Sequence, residues 1–239
     1  MGTKLDLYLF SSFTEDVQQI WEVFARQIWP IFATSIRHLS FAAGQHLDNL
    51  RRYTSPTILT DLNINSIEST DLFPDVIGDD GPNATARQAL SKWLNTPNKN
   101  GQPKRLHCYD YYDGLNLEWI NNLKEAFLRA TNSSVSYIIR IDHVRTMPTE
   151  LFESVNERTN EKLTLEKVPC YRCVDLLLKR CPIIVGETTA AVKWENDKNW
   201  DNNYLNYVKF KLWDGNDNIG PLSPPSTEEK ADQINKNVV

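Results

Sequence analysis

The sequence predicts an α/β protein: βα units built on a mainly parallel sheet, followed by a small C-terminal antiparallel β lobe. Three observations predict it. Lys104 to Asp142 reads as strand (KRLHCYDY), helix (LNLEWINNLKEAFLRAT) and strand (SVSYIIRI) with short joints, which is a βαβ unit. Strand starts recur near residues 4, 36, 67, 105 and 135, a spacing of roughly 30 to 40 residues. After Met147 and Pro148 the helical periods give way to short alternating runs.

The elements follow in order. LDLYLF (Leu5 to Phe10) is the first strand. Thr14 caps a helix whose first turn carries Glu15 and Asp16, where negative charge suits the helix dipole. Val17, Ile20, Trp21, Phe24 and Ile28 form its stripe, and Pro30 should end or kink it near Trp29. The strand Ile36 to Ala42 alternates, with Leu39 and Phe41 toward the core and Ile36, His38 and Ser40 away from it. Leu47, Leu50 and Tyr53, then Ile58, Leu59 and Leu62, mark a helical region interrupted by Pro56. Ile67 to Phe73 is the third strand. A turn-rich loop carrying Asp75, Asp79 and Asp80 leads to a helix that Asn83 can cap, with Ala86, Ala89, Leu90 and Trp93 inward. In the next helix Leu117, Ile120, Leu123 and Phe127 share a stripe, and in the strand behind it Val135, Tyr137, Ile139 and Ile141 share a face.

FESVNERTN and EKLTLEK form a hairpin with Asn160 near its turn. VDLLLKRCPII is strand-like, Ala190 to Trp200 a short helix, and Tyr207 to Trp213 a last strand. The expected division is residues 1–146 for the βα repeats, 147–220 for the antiparallel lobe packed on them, and 221–239 for a disordered Pro- and Ser-rich tail. Right-handed crossovers place the helices on one face if the repeats coil and on both if the sheet is doubly wound. The coiled, leucine-rich-repeat-like form is favoured, with an open doubly wound sheet as the alternative.

Composition excludes several classes. A net charge of −5 and a pI near 5.4 give no reason to expect nucleic acid or an anionic membrane as partner. No run approaches the ~20 apolar residues of a membrane span, and Asp6 interrupts the apolar N-terminus where a signal peptide would need continuity. Four cysteines (Cys108, Cys170, Cys173, Cys181) suit free thiols in a reducing compartment, so the expected address is cytoplasmic or nuclear.

Candidate chemistry is sparse. The pair Cys170 and Cys173 (CYRC) could be half of a zinc site or a redox couple. Yet Cys181 and His143, the only further ligands at hand, fit no familiar zinc spacing, and a strand-rich setting does not lower a thiol pKa. Asp71, Asp75, Asp79 and Asp80 lack the register of a calcium loop. His38 and His107 occupy comparable points of two strands and read as structural; His46 and His143 are scattered. No nucleophile elbow, zincin, dinucleotide or phosphate-loop motif is present, so no catalytic, metal or cofactor residues are expected. Trp21 and Trp93 are core by spacing. Trp119 falls off its helical stripe, and an exposed aromatic there is the candidate anchor for a protein partner.

Several long phrases carry a more specific likeness. IWEVFARQIWPIFATSIRHLSF, LRRYTSPTILTDL, SIESTDLFPDVIGDDGPNATARQALSKWLNTP, QPKRLHCYDYYDG, EAFLRATNSSVSYIIRI, FESVNERTNEKLTLEK and LLLKRCPIIVGE follow one another between residues 3 and 225. In this order they resemble the C-terminal region of nematode F-box proteins, a family expanded in plant-parasitic cyst nematodes. The resemblance implies a non-enzymatic module that selects a protein substrate for a cullin ubiquitin ligase. It supplies no catalytic residues. The sequence starts inside the post-F-box region, so binding of the ligase adaptor is expected only if an F-box is supplied. A decoy that binds targets without ubiquitination is an alternative, as is a small thiol or zinc protein using Cys170 and Cys173. EKVPCYRCVDLLLKRCP departs from the family pattern, which runs more directly into LLKRCPI; that departure argues for local drift around the two cysteines.

Overall fold

A computed structural model describes residues 3–10, 15–70, 72–98, 101–109, 117–131, 135–144, 148, 150–169, 174–183 and 206–213. The fold is α/β. Nine strands form one mixed sheet: β1 (Thr3–Phe10), β2 (Ile36–Phe41), β3 (Ser66–Thr70), β4 (Lys104–Tyr109), β5 (Tyr137–Val144), β6 (Phe152–Asn156), β7 (Glu161–Pro169), β8 (Val174–Pro182) and β9 (Asn206–Trp213). Their spatial order is β6-β7-β8-β5-β4-β3-β2-β1-β9. β1 to β5 are parallel neighbours in chain order, and β6, β7 and β8 extend the sheet antiparallel from β5. A doubly wound sheet needs a reversal of strand order, and none occurs from β1 to β5.

Side-chain alternation splits the sheet into two chemically distinct faces. On one, the register aligns Leu5, Leu39, Ile67, Leu106, Ile139, Leu178 and Leu165 in a single row across seven strands, all fully buried. Each such side chain contributes about 1.5–3 kcal/mol by leaving water. The helices α1 (Glu15–Val23), α2 (Trp29–Phe32), α3 (Gly44–Tyr53), α4 (Ile58–Asp61), α5 (Ala86–Leu94) and α6 (Leu117–Arg129) send Trp21, Trp29, Leu47, Leu50, Leu90, Trp93 and Phe127 into the same core. Ile138 is buried on the opposite face and lies outside that core. No described helix is long and apolar enough to cross a membrane.

Four local expectations need correction. Pro30 does not end its helix. A π-helical segment, Phe24–Ile28, precedes it, and the N–H of Trp29 reaches back five residues to the carbonyl of Phe24. The widened turn accommodates a ring that would collide with the carbonyl four residues earlier, and the helix runs on to Phe32. Ile36 is fully buried in the core, not on the face of His38, because the β1–β2 register breaks between Thr3 and Lys4. Thr85, not Asn83, caps α5: its hydroxyl accepts from the N–H of Gln88 while the Gln88 side chain accepts from the N–H of Thr85.

The last correction concerns the lobe expected at 147–220. β6 to β8 are antiparallel as the alternation suggested, but they continue the main sheet through the β5–β8 ladder. β9 lies at the far edge, parallel to β1. The proposed helix at 190–200 and the tail at 221–239 fall outside the described residues.

Candidate functional site

The residues singled out in the sequence are dispersed. Cys170, Cys173 and Asp71 lie outside the described residues. Cys108 is buried on the helix-side face, its thiol donating to the carbonyl of Leu72. Asp75, Asp79 and Asp80 serve their own loop: Asp75 accepts from the N–H of Val76, Asp79 from Gly81, and Asp80 from the hydroxyl of Thr60. Among the described residues no group of three His, Cys, Asp or Glu side chains is placed to hold a metal.

Trp119 is not an exposed anchor. It is 5% exposed, its indole N–H donates to the carbonyl of Pro74 at 2.5 Å, and its ring lies 5.7 Å from that of Phe73. The chain leaving β3 covers a second flank of α6, which the stripe of the isolated helix does not reveal.

A set of charged and aromatic residues converges on the other face of the sheet. Because Leu106, Ile139 and Leu178 point to the helices, Arg105, His107 and Tyr109 of β4, Arg140 and Asp142 of β5, and Asp175 and Lys179 of β8 point the opposite way. Glu68 of β3 pairs in register with His107, and His38 of β2 lies one row below. The result is a polar network across five strands. His38 Nε2 lies 3.6 Å from Glu68 Oε2, and His107 Nε2 lies 2.7 Å from Asp142 Oδ2. Arg140 donates from Nε to Asp142 at 2.7 Å and from Nη2 to Asp175 at 2.8 Å. Lys179 pairs with Glu166 at 2.8 Å.

The network sets the electrostatics of its members. Burial alone would raise the pKa of Asp142, but hydrogen bonds and positive charge from His107 and Arg140 outweigh it and pull the pKa down to about 2. Asp142 is therefore anionic throughout the physiological range. Three aromatic rings border it: Tyr109 lies 4.3 Å from His107 and 6.3 Å from His143.

His143 is exposed and takes a left-handed backbone, φ 62°, at a register break between Ile141 and Val144. Its N–H donates to Asp175 at 3.4 Å. A non-glycine residue held there costs on the order of 1 kcal/mol and re-aims the end of the strand. Tyr109, Asp142 and His143 thus stand together at the carboxyl ends of two parallel strands.

The carboxylates of this face are paired, and the network is mostly enclosed: His38 and Asp175 are buried, Glu68, Arg105, His107, Tyr109, Arg140, Asp142 and Lys179 are half-buried, and His143 is exposed. The His107–Asp142 bond fixes the imidazole's orientation, but Cys108, the thiol next in sequence, points to the helix side and cannot serve it as nucleophile. His38 and His107 were legible as comparable positions; their partners Glu68 and Asp142 were not. The missed signal is the polar half of the alternation in RLHCY and IRIDH.

With this geometry in hand, comparison with protein-family models, with curated proteins and with solved structures yields no match.

Proposed function

We propose that this chain is a non-enzymatic protein-interaction module, the substrate-recognition part of an F-box-type receptor of cullin ubiquitin ligases. It engages its target on the polar sheet face around Arg105, His107, Tyr109 and His143. One observation carries the reading: consecutive strands bury their apolar side chains under helices and display charged and aromatic ones on the other side. β1 to β5 follow one another as neighbours, and right-handed crossovers between such strands put every helix on one face, a coiled and leucine-rich-repeat-like arrangement. On the other side the half-buried Arg105, His107 and Tyr109 and the exposed His143 lie close together on adjacent strands, where a protein surface can reach them. The module works in the cytosol or nucleus, and it reaches the ligase adaptor when an F-box is supplied.

The test compares tagged wild-type chain with the double variant R105E/Y109A and with R129A, an exposed change on α6. Each is used to capture proteins from nematode lysate under proteasome inhibition, with quantitative mass spectrometry as the readout. Proteins held by wild type and R129A but released by R105E/Y109A support the reading. Capture that is indifferent to the double variant overturns the assignment of the face. Adaptor recovered with the unextended chain overturns its dependence on an F-box.

A further inference from the structure

A second docking feature lies at the end of the sheet and does not depend on the polar face around His107. β6 is the last strand of the spatial order, and among the described residues only β7 pairs with it. A strand carries N–H and C=O groups along both margins, so the outer margin of β6 offers half a ladder. Such margins are commonly blunted by proline, lysine or a bulge. Residues 150–157 contain neither proline nor lysine, and the register with β7 runs unbroken from Phe152 to Asn156.

Apolar side chains flank this margin on both faces of the sheet. Six large apolar residues are exposed among the described residues, and three of them, Leu128, Leu151 and Val155, gather here. Phe152 and Ser154 pair with Leu165 and Leu163, which belong to the core under the helices, so Leu151, Glu153 and Val155 belong to the open face.

On the helix face α6 runs alongside β6. Lys124 Nζ stands 4.5 Å from the centre of the Phe152 ring, and the Asn156 side-chain amide donates to the carbonyls of Phe127 and Ala130 at 2.7 and 2.9 Å. Leu128 follows Lys124 by one turn on that flank of α6, which sets it above the β6 margin. A strand added there lies under Leu128 and beside Leu151 and Val155.

Charge selects the occupant. Residues 150–157 include Glu150, Glu153 and Glu157, all exposed, and no cation. The cations nearby are set inward or beyond: Lys124 lies on the Phe152 ring, Lys162 meets Glu153 at 3.4 Å from the β7 side, and Arg158 belongs to the turn after β6. Glu153 keeps 61% of its side chain exposed despite that pair, so it can meet the residue directly opposite on an added strand. A second copy docked on the same margin about a two-fold axis would set these carboxylates against their own counterparts, which is destabilising. A basic strand meets no such cost.

We propose that the β6 margin takes up an extended segment of a partner protein as a further strand. Lysine or arginine of that segment lies opposite Glu153, and β-branched residues lie against Leu128, Leu151 and Val155. Main-chain hydrogen bonds supply the attachment and the flanking side chains the selectivity.

The full chain is titrated into fluorescein-labelled KTVVKVVTK and followed by anisotropy. ETVVEVVTE is the charge-reversed control, and KTVPKPVTK cannot complete the ladder. The expected result is saturable binding of KTVVKVVTK, at least about tenfold tighter than either control, with slowed amide exchange from Phe152 to Asn156. L128D and E153K, both at exposed positions, should each weaken it about tenfold, while I77D, exposed in the loop before α5, should leave it unchanged. Absence of saturable binding, equal binding of the proline peptide, or binding indifferent to L128D or to E153K overturns the proposal. So does a chain that sediments as a dimer and becomes monomeric with L128D, because a second copy then holds the margin.

Discussion

Lys104 occupies a position that the alternation of β4 reserves for the core. It shares a face with Leu106 and Cys108 and is only 5% exposed. Its ammonium donates to the carbonyl of Trp93 in the last turn of α5 and lies 5.2 Å from the Trp93 ring. Cations are favoured at a helix C-terminus, yet desolvation dominates and lowers the amine from its ordinary 10.5 to about 8.

Between these values the unfolded chain binds a proton that the native chain does not, so native stability rises with pH across that window. Below pH 8 both states carry the charge, and the native state bears the whole penalty. At ~1.4 kcal/mol per unit that penalty is about 3 kcal/mol. K104M keeps the aliphatic stem and removes the charge, but it loses a hydrogen bond worth about 1 kcal/mol. The Trp93 carbonyl retains the N–H of Thr96.

K104M should therefore be more stable than wild type by about 2 kcal/mol at pH 7. The advantage should shrink from pH 8, vanish at pH ~10 and give way to a deficit of up to about 1 kcal/mol, the lost hydrogen bond, at higher pH. Urea unfolding of both proteins at half-unit steps from pH 6.5 to 10.5 measures the difference, and groups common to both cancel. A difference that is constant with pH, or a K104M that is less stable at pH 7, would refute the reasoning, since either means the amine keeps its water.

Glu161 and Arg180 form a buried pair, with Glu161 also accepting from the N–H of Val135. E161Q should cost about 3–5 kcal/mol in denaturant unfolding by stranding the guanidinium, whereas E161M/R180M should recover most of that loss. Asp142 contributes about 2 kcal/mol that is fully present above pH 4 and lost as pH falls toward 2. Wild-type stability should fall across that window more steeply than that of D142N, as acid titration followed by circular dichroism would show. T85A removes one half of the α5 capping box and should lower stability by about 1 kcal/mol, read from the urea midpoint. Arg51 donates to the carbonyls of Pro56, Gly81 and Ala84, a set that a lysine cannot span, so R51K should destabilise by about 2 kcal/mol in the same assay.

Period two and period 3.6 carried most of the fold. Leu39 and Phe41, Tyr137, Ile139 and Ile141, and the inward residues of α5 all occupy the core, because apolar spacing reports which side of an element loses water. What spacing omits is whatever a second element supplies. Trp119 looked exposed because the Phe73–Pro74 segment that covers it belongs to another part of the chain. The continuation of the sheet into β8 depends on Leu176 and Leu178 meeting Ile141 and Ile139, and no pattern within β8 names its partner. The polar face failed for a related reason. An alternating strand states that one side is polar, but His107 and Asp142 are 35 positions apart, and only the parallel register brings them to 2.7 Å. The Cys170 and Cys173 pair lies outside the described residues and bears on neither site.

The pairing of β9 with β1 has a consequence for how the protein is made. Thr3 meets Asn206 and Phe10 meets Trp213, so the first strand waits for about 200 further residues before its second neighbour exists. At the usual pace of ~5–20 residues per second, that wait lasts on the order of ten seconds or more on the ribosome. Throughout it LDLYLF is an apolar strand with one bare rim, the kind of edge that recruits other nascent chains. Chaperone protection during synthesis is then a requirement placed on this sequence by its own topology. Removing only Asn206 to Trp213 should leave a chain whose α/β framework still forms but whose first strand joins its neighbours into aggregates.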